Sequence, residues 1–566
     1  MSAIKIGRRK LLQGSLLAGT GALSLNAQAG FFGAFSPVKF KHGVASGDPM
    51  QNQVIIWTRV TPKNPEAEAR VLWIVSENRH FSHLSSYGFV KTDASKDFTV
   101  KVDVAGLEPG KPYYYKFIAL SKHGRLISSP IGKTQTLPEG DIDSFKMAVF
   151  SCANYPAGYF HAYAEAAKQR DIDVVLHLGD YIYEYGMGGY ATQDAEALGR
   201  IPKPLTETVS LEDYRARYGQ YRTDRDLQRL HRRKPFICVW DDHEVANDTY
   251  DSGAENHDAS EGPFEARKRA ALQAYYEWMP VREGASQEEV YRSFEIGNLV
   301  SLYMLDTRLI ARDKQLDYAN YIDPLTGGFD SESFIAAISD PQRELLGPQQ
   351  LNWLSAGMAT SSATWQVLGQ QVLMGRMNLP AAVATQQISL GDYAQLAQLA
   401  QTNPELLTPQ QIAILQLPSI PYNLDAWDGY AVEREKVLGT AQALGKNLVC
   451  LAGDTHNAWA NNLETMAGDA VGVEFATPGV SSPGLETYLN EDPALVAAGV
   501  TQLIEPLKYA NTGDRGFMTV TFSENEARAD WVFVSSVKQR EYSVQENKSK
   551  SLMTTSGPGG LSLQAL

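Results

Sequence analysis

The stretch HLGDYIYEYG, residues 177–186, follows directly on the apolar run 174–176 and combines an acid with three phenols. The apolar run is typical of a buried strand, and Gly179 permits a tight turn at its end. A plain turn gains nothing from tyrosines, whereas a metal site can use them as ligands. Asp180 and Tyr183 lie three residues apart, which is close enough for both to bind one ion. The stretch therefore predicts a strand that ends in a metal site.

Three further strand-like runs also end in potential metal ligands. They are MAVFSC, which ends at Cys152, FICVWDDHE, which contains Asp241, Asp242, His243 and Glu244 with Asn247 and Asp248 close after, and LVCLAGDTHN, which contains Asp454 and His456. Each terminus alone is weak evidence, because a lone Gly-Asp is most often a turn and a lone Asp-Asp-His is most often a solvated loop. Sites in α/β sheets form beyond the carboxyl ends of the strands, so four such ends in series predict one shared site.

The donor types in this set suit two kinds of metal ion. Carboxylate and amide oxygens are hard donors, which suit Ca²⁺ or Mn²⁺. A thiolate, a phenolate and an imidazole together suit a more Lewis-acidic ion, and tyrosinate is a good donor to Fe³⁺. We therefore expect Asp180 to bridge two ions and Tyr183 to bind one of them, iron. Tyr181 and Tyr185 are expected to pack around the site.

The 566 residues suggest two or more domains with different patterns. Residues 30–140 contain short strand-like runs such as NQVIIWTRV and ARVLWIVS, which predict an all-β sandwich of the fibronectin or immunoglobulin type. In residues 141–545, apolar runs alternate with helical stretches, which predicts a layered α/β domain. The Gln-, Leu- and Ala-rich residues 380–420 indicate a helical insertion, and residues 546–566 indicate a mobile tail.

Residues 1–29 have the features of an export signal. Arg8 and Arg9 precede the apolar run KLLQGSLLAGTGALSL, and Ala27-Gln28-Ala29 fits a small-residue cleavage site. The paired arginines resemble a twin-arginine signal, which predicts the twin-arginine export machinery as a partner and a periplasmic or secreted location. An ordinary secretory signal with two chance arginines is the alternative. No later segment reaches the length of a membrane span, so no integral membrane role is expected.

The net charge of -14 argues against a nucleic-acid backbone as partner. It also disfavours long-range attraction of anionic substrates, so any anion must be captured by local charge such as a metal ion. The three cysteines are a poor disulfide framework. Cys238 and Cys450 lie inside apolar runs and are expected to be buried, inert thiols. Cys152 is expected to be a ligand, with a buried thiol and a nucleophile as the alternatives.

Several motifs together resemble the alkaline phosphatase D (PhoD) family of metallophosphoesterases. They are SCANYPAGYFHAY, HLGDYIYEYG, VWDDHEVANDTY, LDTR, WQVLGQQVLM, WDGYAVER and LAGDTHNAW, and the earlier GVASGDPMQNQVIIWTRV resembles the N-terminal domain of that family. The resemblance implies the α/β metallophosphoesterase fold, a β-sandwich of two sheets flanked by helices. It also implies a site with one Fe³⁺ and two Ca²⁺, and phosphomonoesters or phosphodiesters as substrates.

The resemblance implies roles for the first half of the site. Asp180 and Tyr183 match the Gly-Asp-x-x-Tyr motif that the family shares with purple acid phosphatases, and Cys152 takes a place where most metallophosphoesterases have Asp. Asp242 and His243 stand where a Gly-Asn-His motif is usual. In that motif the residue before the histidine binds the second metal, and the histidine stabilises the phosphorane.

The second half of the site departs further from the common pattern. Asp454 and His456 stand where two histidines of a Gly-His-x-His motif are usual, and Asp at position 454 shifts that site toward calcium. Asn247 is kept as a candidate calcium ligand, although the sequence does not choose between it and Asp248. Arg308 in LDTR is counted with His243 as a candidate catalytic residue. Arg308 is expected to brace a metal ligand, and a routine core salt bridge is the alternative.

The resulting prediction is metal-assisted hydrolysis of small-molecule phosphate esters. A hydroxide held on or near iron attacks in line, and His243 assists the pentacoordinate state or the leaving alkoxide. A phospholipase D-type phosphodiesterase would use the same metals with a wider cleft. A non-catalytic calcium-binding secreted module would leave His243 and His456 without a role. An iron oxidase is disfavoured by the hard carboxylates of Asp242 and Asp454.

Overall fold

The computed structural model of the chain describes residues 4–5, 38–66, 68–120, 126–284, 286–325, 328–385, 387–489, 491–557 and 561–566. Apart from the two-residue strand Ile4–Lys5, the predicted export signal lies outside these residues. Within the described ranges, none of the helices combines the length and the apolar character that crossing a membrane requires.

Strands dominate the described chain. In chain order they are β1 Ile4–Lys5, β2 Val38–Lys39, β3 Val44–Gly47, β4 Gln53–Arg59, β5 Thr61–Pro62, β6 Ala69–Ser76, β7 His83–Leu84, β8 Ser86–Thr92, β9 Thr99–Ala105, β10 Pro112–Leu120, β11 Leu126–Ser128, β12 Gly132–Gln135, β13 Ser144–Phe150, β14 Val174–His177, β15 Pro235–Cys238, β16 Arg292–Ile296, β17 Val300–Met304, β18 Trp365–Gly369, β19 Asn378–Pro380, β20 Ser419–Pro421, β21 Asn447–Ala452, β22 Ala458–Glu464, β23 Ala470–Ala476, β24 Leu507–Asn511, β25 Arg515–Ser523, β26 Glu526–Val534, β27 Lys550–Thr555 and β28 Gln564–Ala565.

The helices follow the all-β beginning of the chain. They are α1 His161–Ala166, α2 Ala195–Leu198, α3 Leu211–Tyr221, α4 Arg225–His231, α5 Phe264–Trp278, α6 Ser331–Ile338, α7 Gly347–Thr360, α8 Ala381–Ala384, α9 Leu390–Thr402, α10 Pro409–Leu415, α11 Ala431–Ala443 and α12 Pro493–Leu503. Short 3₁₀ turns occupy Ala94–Lys96, Ala259–Glu261, Tyr318–Tyr321, Pro404–Leu406, Trp427–Tyr430 and Leu485–Thr487.

The described residues between 38 and 138 form strands and one 3₁₀ turn, in agreement with the predicted all-β beginning. Five of these strands, β6, β8, β10, β11 and β12, form one antiparallel sheet. Strands β3, β4 and β9 instead extend a ten-stranded sheet, in which β3 pairs in parallel with β15. Gly47 permits this junction, because a Cβ there would lie 2.3 Å from the Pro280 carbonyl oxygen. The boundary at residue 140 stays a prediction, and one sheet spans it.

Two large sheets position the site. The ten-stranded sheet contains β13, β14 and β15 as parallel neighbours, and the seven-stranded sheet contains β17, β18, β21 and β23 as parallel neighbours. Their buried faces share one apolar core, which includes Val149 and Trp531 from the first sheet and Val449 and Phe475 from the second. The Trp531 indole donates a hydrogen bond of 2.9 Å to the Ala476 carbonyl across this core. The strands that precede the predicted ligands therefore belong to two sheets that pack against one core.

Two further segments of the domain prediction have definite structures. Residues 380–420 contain helices α8, α9 and α10, and the paired strands β19 and β20 flank them. The prediction of a mobile tail over 546–566 differs from the structure, because β27 pairs with β26 and extends the ten-stranded sheet. Leu552 and Thr554 are buried on alternate positions of β27. The prediction of a mobile tail rests on its polar composition. The alternation of buried and more exposed residues in the tail is instead the pattern of a half-buried strand.

Candidate metal centre

Hydrogen bonds connect the loops that follow the parallel strands. The Cys152 amide donates to the Gly179 carbonyl at 3.3 Å, and the Ala153 amide donates to the Asp180 carbonyl at 2.9 Å. Four predicted ligands in these loops have left-handed backbone conformations, namely Cys152 at φ 59°, Asp180 at φ 53°, Asp454 at φ 65° and His456 at φ 62°. Such conformations cost on the order of 1–3 kcal/mol each and cluster at functional sites.

Three groups of donor atoms result, and each group fits within 4.8 Å. They are Cys152 with Asp180 and His456, Asp180 with Asp242 and His243, and Asp241 with Asp242 and Asp454. Asp180 belongs to the first two groups and Asp242 to the last two. The structure thus brings the predicted residues together in a chain of linked groups, and it adds Asp241.

Tyr183 lies at the first group. Its hydroxyl donates to Asp180 Oδ2 at 2.8 Å and lies 3.2 Å from His456 Nε2. The Ser482 hydroxyl donates to the same phenol oxygen at 2.7 Å. Burial raises the pKa of Tyr183 well above its ordinary value, and the charge of Asp180 raises it further. With this raised pKa, Tyr183 keeps its proton unless a nearby cation stabilises the phenolate. Tyr183 must lose that proton to bind a metal ion, so its role as a ligand requires a cation beside it.

His456 presents one ring nitrogen to the first group. Its Nδ1–H donates to the Pro483 carbonyl at 2.6 Å, and the Tyr190 hydroxyl donates to the same carbonyl at 3.0 Å. Burial lowers the pKa of His456 to about 3, so the ring is neutral. The Nε2 lone pair then faces Cys152 and Asp180, which is the form in which histidine binds a metal.

His243 is oriented by a buried carboxylate that the sequence prediction did not single out. Its Nδ1 lies 2.7 Å from Glu184 Oε2, and Glu184 also accepts from the Asn247 amide and from Asn256 Nδ2, each at 2.8 Å. Burial favours a neutral His243, but Asp242 and Glu184 outweigh it and raise the pKa of His243. Because Nδ1 is bound to Glu184, Nε2 is the nitrogen left for the second donor group.

Three carboxylate oxygens at the centre are buried and have no hydrogen-bond partner among the described residues. They are Asp180 Oδ1, Asp241 Oδ2 and Asp242 Oδ1. Burying an unpaired charged oxygen is costly, and buried carboxylates are normally paired or bind metal ions. Burial also raises the pKa of Asp454 to about 7, with Asp425 adding to the effect. The donor set therefore fits bound cations.

Arg308 lies behind the third donor group and is fully buried. It donates from Nε to Asp241, from Nη1 to Asp425 at 2.8 Å and from Nη2 to Asp454 at 3.2 Å. Its Nη2 also lies 3.9 Å from Asp242. One guanidinium therefore braces several acids of the centre, rather than a single pair, and Asp425 is a member that the sequence prediction missed.

We expect Arg308→Met to destabilise the chelator-treated protein by about 3–5 kcal/mol, because it leaves several buried acids uncompensated. The loss should shrink when metal ions are added, since cations take over part of the compensation. Thermal unfolding with and without chelator measures this, with Arg308→Lys as the control that keeps the charge but loses the planar fork. An equal loss in both conditions would indicate a routine core salt bridge.

The two candidates at the edge of the third group differ in their contacts. The Asn247 side chain donates to Glu255 at 3.2 Å. The Asp248 amide donates to Asp242 Oδ2 at 2.7 Å. Burial raises the pKa of Asp248 to about 7, and the charges of Asp425 and Asp242 add to that effect. These contacts favour Asp248 over Asn247 as a member of the centre.

The sequence profile described as PhoD-like phosphatase matches residues 147–531, and that of the PhoD-like phosphatase N-terminal domain matches residues 26–138. The chain belongs to the PhoD-like phosphatase family. As a member of this family it is an enzyme that hydrolyses phosphate esters, and small-molecule phosphate esters are its class of substrate. The family resemblance inferred from the strand-end motifs is thereby confirmed.

Similar proteins support this membership of the PhoD-like phosphatases. Alkaline phosphatase D of Bacillus subtilis (strain 168) is 34% identical over 505 residues, which cover 84% of this chain and 76% of that protein. A solved structure of PhoD superposes with a TM-score of 0.75 at 29% identity and covers 94% of this chain and 93% of its own. The purple acid phosphatase PPD1 from yellow lupin (Lupinus luteus) seeds has a TM-score of 0.50 at 12% identity, covering 90% and 74%, and shows a shared fold.

Proposed function

We propose that this PhoD-like phosphatase is a metal-dependent hydrolase of phosphate monoesters and diesters that uses one Fe³⁺ and two Ca²⁺. The observation that carries the proposal is the linkage of three donor groups through Asp180 and Asp242. Shared carboxylates at adjacent groups suit neighbouring cations, which can hold the oxygens of one phosphate together. When bound, these ions supply charge neutralisation for the phosphate and a water of lowered pKa.

The first group is proposed to hold Fe³⁺. Its donors are the Cys152 thiol, Asp180, the Tyr183 phenol and His456, and it is the group that combines sulfur, nitrogen and phenol oxygen. Burial raises the pKa of the Cys152 thiol, so the thiolate also requires a strong Lewis acid beside it. A structural, protonated Cys152 is less suited to a position among three other donors.

The other two groups are proposed to hold Ca²⁺. Asp180 and Asp242 serve the second group, and Asp241, Asp242 and Asp454 serve the third. Asp248 is proposed as an additional oxygen donor here in preference to Asn247. These are hard oxygen ligands, and Ca²⁺ tolerates the irregular geometry and high ligand number that such a cluster provides.

His243 is proposed to act on the substrate rather than on a metal ion. Its Nδ1 is engaged by Glu184, and a ring nitrogen of His243 lies within 4.8 Å of carboxylate oxygens of Asp180 and Asp242, where a phosphate would lie. A protonated Nε2 donates a hydrogen bond to the transferring phosphoryl group or a proton to the leaving oxygen. Glu184 holds the ring in the orientation that this transfer needs.

The export signal predicted over residues 1–29 completes the proposal. A twin-arginine pathway moves proteins that have already folded, so the ions of this centre would be acquired before export. A periplasmic or secreted location would place the enzyme where external phosphate esters are available. Fusion of residues 1–35 to a reporter, with Arg8 and Arg9 replaced by Lys as the control, tests this part directly.

We expect the purified enzyme to contain iron and calcium and to show a visible tyrosinate-to-iron absorption band. Tyr183→Phe should remove the band while the fold is kept, because the ring remains and only the oxygen donor is lost. Elemental analysis and absorption spectra measure this, and Tyr185→Phe is the matched control that should keep the colour. An iron-free, colourless wild-type protein would contradict the assignment of Tyr183.

A further inference from the structure

Arg222, directly after α3, is one of several completely buried arginines. Arg267, Arg308 and Arg312 each form an ion pair with a carboxylate, and Arg217 donates to backbone carbonyls. In the part of the chain that the structure describes, no ion pair joins Arg222 to an acid. Buried charges in proteins are normally paired, because an uncompensated one is costly. Arg222 therefore differs from these four arginines in pairing with neither a carboxylate nor a backbone carbonyl among the described residues.

One edge of the Arg222 guanidinium is unpaired. Its Nη1 donates to the Tyr181 hydroxyl at 3.1 Å, and its carbon lies 4.4 Å from the centroid of the Trp57 ring. Its Nε and Nη2 have no hydrogen-bond partner among the described residues. These two nitrogens share one edge of the planar guanidinium, and their N–H groups form a fork that arginine uses to bind anions. The fork is therefore buried, charged and without a hydrogen-bond partner among the described residues.

Other polar groups without good partners belong to the surrounding elements. The Ser46 hydroxyl on β3 and the Tyr115 hydroxyl on β10 are fully buried, and neither forms a hydrogen bond of normal geometry in the described chain. Burial raises the pKa of Tyr115, whereas the nearby Ser46 hydroxyl and the charge of Arg222 act to lower it. Because hydroxyls rotate to donate, each is a donor that lacks an acceptor in the region on which the charge of Arg222 acts.

Two imidazoles near Arg222 add donors and no negative charge. Burial lowers the pKa of His42 to about 3, with smaller contributions from Arg59 and Arg222. Burial and then Arg222 also lower the pKa of His231 well below its ordinary value. Each ring has a buried Nδ1 without a partner in the described chain. The region around Arg222 is thus rich in donors and electropositive.

We propose that the Nε–Nη2 edge of Arg222 binds a small monovalent inorganic anion, such as chloride, at the junction of the N-terminal strands and α3. One buried positive charge matches one negative charge, and complete burial favours a compact ion over an organic acid. The bound anion would also hold the Arg222 guanidinium against Tyr181, the residue that follows Asp180. Neither Arg222 nor Tyr181 belongs to the three donor groups of the metal centre.

Crystals of the metal-loaded enzyme grown in sodium bromide test the site directly. We expect an anomalous bromide peak within hydrogen-bond distance of both Nε and Nη2 of Arg222. A crystal that shows water and no anomalous peak at this edge would overturn the proposal. Bromide replaces chloride with little change in size and charge, so the result applies to both ions.

Thermal unfolding in solution gives a second test. At constant ionic strength, replacing gluconate by chloride should raise the Tm of the metal-loaded wild-type enzyme by about 2 °C near 100 times the Kd. Arg222→Met should lose this rise, whereas the surface control Arg528→Met should keep it. If Arg222→Met does not fold, Tyr115→Phe should need several times more chloride for the same rise. A chloride response that Arg222→Met retains, or one absent from the wild type, would overturn the proposal.

Discussion

Chelation of calcium is expected to reduce phosphate ester hydrolysis to background, and added Ca²⁺ is expected to restore it. Without the ions, the negative charges of the clustered acids Asp180, Asp241, Asp242 and Asp454 would repel a phosphate at the proposed centre. Arg308 balances them only in part, since it is one cation among several carboxylates. Initial rates measured during a calcium titration after treatment with a calcium-selective chelator give the result.

The identity of the restoring ion distinguishes two kinds of centre. Hard oxygen donors favour Ca²⁺, so Zn²⁺ should not restore activity. Asp454→His, which replaces a carboxylate by an imidazole, should weaken the response to Ca²⁺ and strengthen that to transition metals. Asp530→Asn, at a carboxylate bonded to Arg528 on the surface of β26, is the control that should leave the titration unchanged. Full recovery of the wild type with Zn²⁺ alone would indicate an ordinary dinuclear phosphatase.

Much of the centre could be predicted because its ligands follow strands. Continuous apolar runs identified β13, β14, β15 and β21, and the first polar residues after each run became members of the donor groups. Parallel strands bring their carboxyl ends to one edge of a sheet, so local sequence was sufficient for Cys152, Asp180 and Asp242. Asp454 follows β21 in the seven-stranded sheet and joins them through the packing of the two sheets. The same reasoning correctly placed Tyr183 beside Asp180.

The residues that were missed act through the tertiary structure. Asp425 and Ser482 lie in loops that no strand pattern marks, and they reach Arg308 and Tyr183 across more than one hundred residues of chain. Glu184 lies in the motif HLGDYIYEYG, but its hydrogen-bond partner His243 is 59 positions away, so the sequence did not indicate the contact. Asn247 stays a prediction, and its side-chain amide donates to Glu255.

The sheet that spans residue 140 could not be predicted for a related reason. Pairing of β3 with β15 joins segments almost 200 residues apart, and period-two patterns do not specify which strand is a neighbour. The signal was the glycine at position 47, which is required by the close approach of Pro280 and Phe236. A glycine at the end of a strand more often serves a turn or a bulge, so the role of Gly47 became clear only from the packing.

His243→Ala is expected to lower kcat by about 10²–10⁴-fold and to change KM far less, because the interaction matters most in the transition state. The mutant should keep its metals, since Nδ1 of His243 is bound to Glu184 and the proposed ligands remain. The defect should shrink for nitrophenyl esters, whose leaving group departs without a proton. Steady-state rates for aryl and alkyl phosphates, with metal analysis of each preparation, measure these effects.

Two further variants separate the possible roles of His243. His243→Asn retains a hydrogen-bond donor but supplies no proton, so it should recover little activity toward alkyl esters if His243 is an acid. Glu184→Gln keeps the buried volume and removes the charge that orients the ring, so a smaller loss of about 10–100-fold is expected. Equal losses for good and poor leaving groups would favour electrostatic stabilisation over proton transfer. Loss of metal from His243→Ala would refute both roles and make His243 a ligand of the second donor group.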